Sequence, residues 1–210
     1  MTAREYALES LLYRTAGLID ETIAAGGGTA AATLAALEEF AVEASIAKVY
    51  GSEVVDYVID ECVQIHGGNG FVADYPVERR YRDARVNRIF EGTNEINRLL
   101  IPGMLIRKSV KGDLPLIPAA RAVQDELLAP AAMPDGDDTP LAAERRGVAA
   151  FKKVALFVAG VAMQRHGEAL QHEQEVLSAL ADIIIDTYAA ESAVLRALGA
   201  AGATSAALHA

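Results

Sequence analysis

Residues 62–98 read CVQIHGGNGFVADYPVERRYRDARVNRIFEGTNEINR, and the fold can be worked outward from them. A helical pattern closes at Gly67-Gly68-Asn69-Gly70, where glycines suit a left-handed helix cap followed by a tight turn. Pro76, after Asp74-Tyr75, stands where its fixed φ favours the first turn of a new helix. That helix carries Arg79, Arg80, Arg82, Asp83 and Arg85 and is expected to end near 84–86. Val86 to Gly92 reads as an irregular connector containing Phe90-Glu91-Gly92-Thr93. Thr93 then caps a helix through Ile96, Leu99, Leu100, Leu105 and Ile106, with a kink or early end at Pro102.

Upstream, Thr2-Ala-Arg-Glu5 has the form of a capping box opening a helix, which Gly26-Gly27-Gly28 stops. One apolar face then runs from Leu34 and Leu37 through Val54, Val55 and Val58 to Ile65. This predicts a single long helix from near Thr29, with Gly51 as its weak point. Downstream, Gly112-Asp113-Leu114-Pro115 breaks the pattern. A short helix at 118–128 leads into an acidic Pro/Gly/Asp linker at 130–140. Thr139-Pro140 reads as the start of a helix to about Leu170, Glu173 to Leu198 as a last amphipathic helix, and 199–210 as a frayed tail. No stretch reads as a strand. The expectation is an all-α chain: a helical bundle at 1–112, a linker with one short helix at 113–140, and an appended helical domain at 141–210.

Composition agrees with close-packed helices: 52% of residues are hydrophobic, alanine and leucine abound, and tryptophan is lacking. A net charge of −10 argues against nucleic-acid partners and anionic membranes, both of which call for a basic surface. A single cysteine, Cys62, precludes an internal disulfide and fits a reducing compartment. The N-terminal residues lack the apolar segment of a signal peptide, and the longest apolar run, Val154 to Met163, is short of the roughly 20 residues of a membrane span. A soluble protein of the cytoplasm or an organelle matrix is expected. Phe151–Met163, with Lys152 and Lys153 at its start, is read as core packing in preference to a membrane-surface helix.

Glu91 is the chemically distinctive residue. A helix N-terminus presents free N–H groups and partial positive charge, and Gly92 lets a ligand approach the backbone closely. A carboxylate and an amide donor side by side suit proton removal alpha to a carbonyl, with the N–H steadying the enolate oxygen. The plainer alternative is a solvent-facing capping carboxylate. The Gly67–Gly70 run can bring backbone amides against a phosphate or flat ring, or can be a helix cap and nothing more. The Gln64 amide lies one turn before it. His66 has no second ligand at metal spacing, so no metal site is expected. The arginines form either a solvated face, with pairs such as Glu78–Arg82, or partly buried anchors for the loop before Glu91.

QIHGGNGF, YPVERRYRDAR and RIFEGTNEINR, in this order and spacing, resemble the C-terminal helical domain of the flavin-dependent acyl-CoA dehydrogenases over residues 1–110. EQEVLSALADIIIDTYAAESAVLR is similar to the extra C-terminal domain of the very-long-chain type. The resemblance implies an enzyme of fatty-acid β-oxidation, with Glu91 removing the α-proton of a fatty acyl-CoA thioester and the Gly92 backbone beside that thioester. Hydride would pass to FAD, and electrons onward to an electron-transfer flavoprotein. By the same resemblance Gln64, Gly67 and Gly68 touch the FAD of a neighbouring subunit in a homo-oligomer, and Thr93 and Glu95 also contact FAD. Glu95 departs from the glutamine of several members, and its charge would repel a pyrophosphate. The family's N-terminal helical and middle β-domains precede this region, so the chain alone is expected to show little or no dehydrogenase activity. A non-catalytic dimerisation or docking module, and acyl-CoA oxidase chemistry on the same fold, stand as alternatives.

Overall fold

The computed structural model describes residues 1–128 and 139–208, and all regular elements there are helical. The all-α expectation holds. The linker expected at 130–140 lies almost wholly outside the described residues, as do His209 and Ala210. The chain divides into two compact units, Met1–Leu100 and Ile101–Ala210.

The first unit is built on α3, Ala41–His66, against which α1 (Thr2–Ala25) and α4 (Pro76–Arg85) pack. Leu11, Val42, Ile46, Val49 and Val54 form its core. Arg4 lies over the Tyr57 ring, 3.9 Å from its centroid, adding a cation–π contact between α1 and α3. α3 runs through Gly51 without a break, and a Cβ there would make only an ordinary van der Waals contact, 3.4 Å from Leu8 Cδ1. The long helix expected from Thr29 is two helices, α2 (Ala30–Glu39) and α3. They meet at Phe40, whose N–H bonds to Ala36 O while its own carbonyl accepts the Ala44 N–H. Thr29 caps α2 through its hydroxyl. The expected Thr2–Glu5 capping box is absent, because Thr2 is already helical and the Met1 carbonyl accepts the Arg4 and Glu5 N–H groups.

A 3-10 turn at Gly67–Gly70 follows α3, and a second at Val86–Arg88 replaces part of the expected irregular connector. α5, Asn94–Lys111, runs through Pro102, so no early end occurs there.

In the second unit α7 (Ala142–His166) packs against α6 (Leu116–Leu128) and α8 (Gln174–Leu208). Ala120, Val123, Ala159, Ala162, Leu177, Leu180 and Ile185 form the core. Thr139 does not cap α7. Leu141, left-handed at φ 56°, occupies the cap position, and the Thr139 hydroxyl accepts from Arg145 instead. α7 ends at Gly167, short of Leu170, and a 3-10 segment Gly167–His172 leads to α8, which continues past Leu198 to Leu208. Phe151, Val154, Phe157 and Val161 of α7 are exposed while Ala159, Gly160 and Ala162 are buried, so the most buried residues of that stretch are its small ones. By length and composition alone, Ala142–His172 could cross a membrane, with mean hydropathy 1.4 over its best window. Counting uninterrupted apolar residues misses this, because isolated charges break the run without much lowering the average.

Candidate active site

The turn bearing Glu91 docks on the middle of α3. Glu91 and Gly92 both have left-handed backbone, at φ 55° and 79°. For glycine this conformation is free of Cβ strain; for a glutamate it costs on the order of 1 kcal/mol and persists only where neighbours enforce it. The Glu91 carboxylate is exposed, and no hydrogen bond or ion pair engages it among the described residues.

The enforcement comes from α3 and α5. Lys48 Nζ donates to Gly92 O at 2.7 Å and to Asn94 Oδ1 at 2.8 Å. Asn97 Nδ2 donates to the same Gly92 carbonyl at 2.9 Å. Asn94, only 1% exposed, gives its amide to Ser52 Oγ at 2.9 Å and Glu53 Oε1 at 3.1 Å. Arg98 grips both oxygens of Glu53, at 2.7 and 3.0 Å, in the bidentate form that makes such pairs strong. Just before the turn, Arg88 bonds Asp56 at 2.8 Å. Thr93 caps α5, accepting the Ile96 N–H at 3.2 Å.

The arginines therefore divide. Arg79 and Arg82 pair only along their own helix, with Asp83 and Glu78, on a solvated face. Arg88 and Arg98 are the partly buried anchors of the loop. Lys48, Ser52, Glu53, Asp56, Asn94 and Asn97 were missed in the sequence. Residues 48, 52 and 56 nonetheless recur every four positions, which places them on one side of the helix.

The second set of sequence-predicted residues sits at the far end of α3. From Glu53 to Gln64 the helix rises roughly 16 Å, so the glycine turn and the Glu91 turn occupy separate places on one element. Gln64, Gly67 and Gly68 are exposed, and a Cβ at either glycine would meet nothing within 4 Å. An amide side chain beside open backbone fits the approach of a flat or phosphorylated cofactor. Gly67 has φ 58°, which favours glycine there. Gly70 is required for another reason: a Cβ would strike Val63 O at 2.6 Å.

Glu95 fits a cofactor phosphate poorly. Its own backbone N–H and the Thr93 side chain hold its carboxyl below the usual carboxylate range, with smaller help from Arg98 and Arg88, and it stays anionic. His66 Nδ1 lies 2.8 Å from Cys62 O, and no metal-holding cluster occurs among the described residues. A cavity of about 680 Å³ opens between α3, the glycine turn and α4, lined by Asp60, Val63, Phe71, Tyr81, Arg82 and Arg85 among others.

These helices have known counterparts. Two family models described as "Acyl-CoA dehydrogenase, C-terminal domain" match residues 1–105 and 150–209. The chain belongs to the acyl-CoA dehydrogenase family at the level of this C-terminal region. It is 48% identical to a probable acyl-CoA dehydrogenase of Bacillus subtilis, over 99% of this chain and 36% of the relative. A crystal structure of an acyl-CoA dehydrogenase complexed with FAD from Bacillus anthracis superposes with a TM-score of 0.86 at 50% identity, covering 92% of this chain and 33% of that one. A shorter match, 50% identical over 31% of this chain and 17% of the relative, is to subunit CarC of the caffeyl-CoA reductase-Etf complex of Acetobacterium woodii. The chain thus spans about a third of the length of the Bacillus proteins that it matches throughout.

Proposed function

We propose that this chain is the C-terminal part of an FAD-dependent acyl-CoA dehydrogenase acting on a fatty acyl-CoA thioester, with Glu91 as the α-proton base. The observation that carries this reading is the Glu91 turn itself. An unpartnered carboxylate is held in a strained backbone by an extensive polar clamp, which a merely capping glutamate would not need.

Glu91 takes the α-proton as the Cα–H bond breaks, and the electron pair passes into the thioester carbonyl. The Gly92 N–H lies next in the chain and steadies the developing oxygen charge. Bound FAD would supply the acceptor for the β-hydride. On this chain Gln64, Gly67, Gly68 and Thr93 would hold it, with Glu95 only at its margin. The separation of the glycine turn from the Glu91 turn along α3 supports the reading that Gln64, Gly67 and Gly68 serve a neighbouring subunit of a homo-oligomer. The likeness to a subunit of an Etf complex supports an electron-transfer flavoprotein as the electron acceptor.

The test is Glu91→Gln in the full-length enzyme. Turnover should fall by about 10²- to 10⁴-fold, the contribution of a positioned base, with flavin content and acyl-CoA affinity retained. Undiminished turnover would remove Glu91 as the base and favour a docking role for these helices.

A further inference from the structure

We propose that Lys48 is a positioning residue for the base, acting through the backbone of the Glu91 turn. The inference rests on the reading of Glu91 as that base. The Lys48 ammonium lies at 2.7 Å from Gly92 O and 2.8 Å from Asn94 Oδ1, so one cation joins the residue after Glu91 to the first residue of α5. Gly92 O receives a second donor, Asn97 Nδ2, at 2.9 Å. Two donors on one carbonyl fix the orientation of the peptide that leaves the left-handed pair Glu91-Gly92.

The charge balance sharpens the point. Of the α3 acids C-terminal to Lys48, Glu53 is taken by the two nitrogens of Arg98, and Asp56 by Arg88. Lys48 makes no carboxylate pair among the described residues, and both of its bonds go to neutral oxygens of the turn region. A lysine kept for surface solubility or for a simple ion pair would not be arranged so. Ser52 lies 3.2 Å from Asn94 Oδ1, and holds that acceptor in reach of Lys48. Lys48 touches neither substrate nor flavin in this scheme. It sets where Glu91 can be.

The experiment uses the full-length flavin-loaded enzyme and a 3-thiaacyl-CoA, whose sulfur at the β position leaves no hydride to transfer. Only the α-proton step then operates. The Cα–H bond breaks, the proton goes to Glu91, the electron pair enters the thioester, and a deuteron returns when the solvent is D2O. Lys48→Met should slow α-deuterium incorporation by about 100-fold, the scale of loss for a displaced catalytic group, while analogue affinity and flavin absorbance stay as in wild type. A purely structural lysine would leave exchange by the flavin-loaded Lys48→Met enzyme at the wild-type rate.

Glu91→Gln is run alongside. If it abolishes exchange while Lys48→Met exchanges as wild type does, the positioning role is overturned and the base stands. If Glu91→Gln exchanges normally, the base itself is wrong and the role of Lys48 falls with it. Should Lys48→Met fail to retain flavin, Lys48→Arg decides. It keeps the charge but spreads it over a plane that cannot sit at one point between two oxygens. It should exchange about tenfold more slowly, again the mark of a misplaced group, and wild-type exchange would overturn the proposal.

Discussion

A glutamate held at φ 55° is a stability cost placed where chemistry is expected. Replacing it by glycine should relieve that strain. Glu91→Gly is expected to be at least as stable as the parent chain, gaining up to about 1 kcal/mol less whatever the added glycine flexibility removes in the unfolded state. Urea unfolding of the two chains reads this directly; a clear loss of stability would mean that the Glu91 side chain makes a stabilising contact. Four residues on, Glu95 makes the opposite trade. Its folded pKa lies below the ordinary 4.5, chiefly through its own backbone N–H and then the Thr93 side chain, with smaller help from Arg98 and Arg88. A carboxyl lowered in the folded state contributes stability fully above its unfolded value and loses that contribution as pH falls through the folded one. The stability gap between wild type and Glu95→Gln should therefore be present near neutral pH and close progressively in acid, at about pH 4 and below. A gap independent of pH would assign the effect to packing.

Helix–helix contacts in the second unit depend on small residues. A Cβ on Gly160 of α7 would stand 2.9 Å from Ala120 Cβ on α6, closer than real Cβ atoms approach. Gly160→Val should cost about 1–3 kcal/mol by forcing these helices apart, and Ala120→Gly in the same chain should recover part of it. Denaturant midpoints of the single and double variants measure this; additive losses would refute the contact. The same distinction between local and remote causes explains what the sequence revealed. The stops at Gly26 and Gly67 and the start at Pro76 were legible because a glycine or proline acts on its own backbone. Glu91-Gly92 was legible as a turn for the same reason. The break at Phe40 was not, because nothing in its residue type opposes a helix. Gly51 was read as tolerated inside a helix, and α3 does run through it. The clamp was invisible pair by pair, since Lys48 and its partners Gly92 and Asn94 lie 44 and 46 positions apart. Only the four-residue recurrence of polar groups on α3 hinted at it.

Every residue assigned to the flavin lies in Met1–Leu100, and of these Gln64, Gly67, Gly68 and Glu95 are exposed. Small-molecule sites bury most of their ligand's surface, whereas open glycine backbone and an amide side chain supply one wall. The cavity lined by Phe71 and Tyr81 does not substitute for the missing walls, since none of the five assigned residues lines it. Charge works in the same direction, because a chain of net charge −10 offers a pyrophosphate no general attraction. On the proposed assignment, then, recognising the cofactor and retaining it are separable properties. The 210-residue chain, mixed with FAD and passed through gel filtration, should emerge without visible flavin absorbance and without acyl-CoA oxidation. Retained flavin would mean that these helices enclose the cofactor unaided, and would move the whole binding site into the C-terminal region.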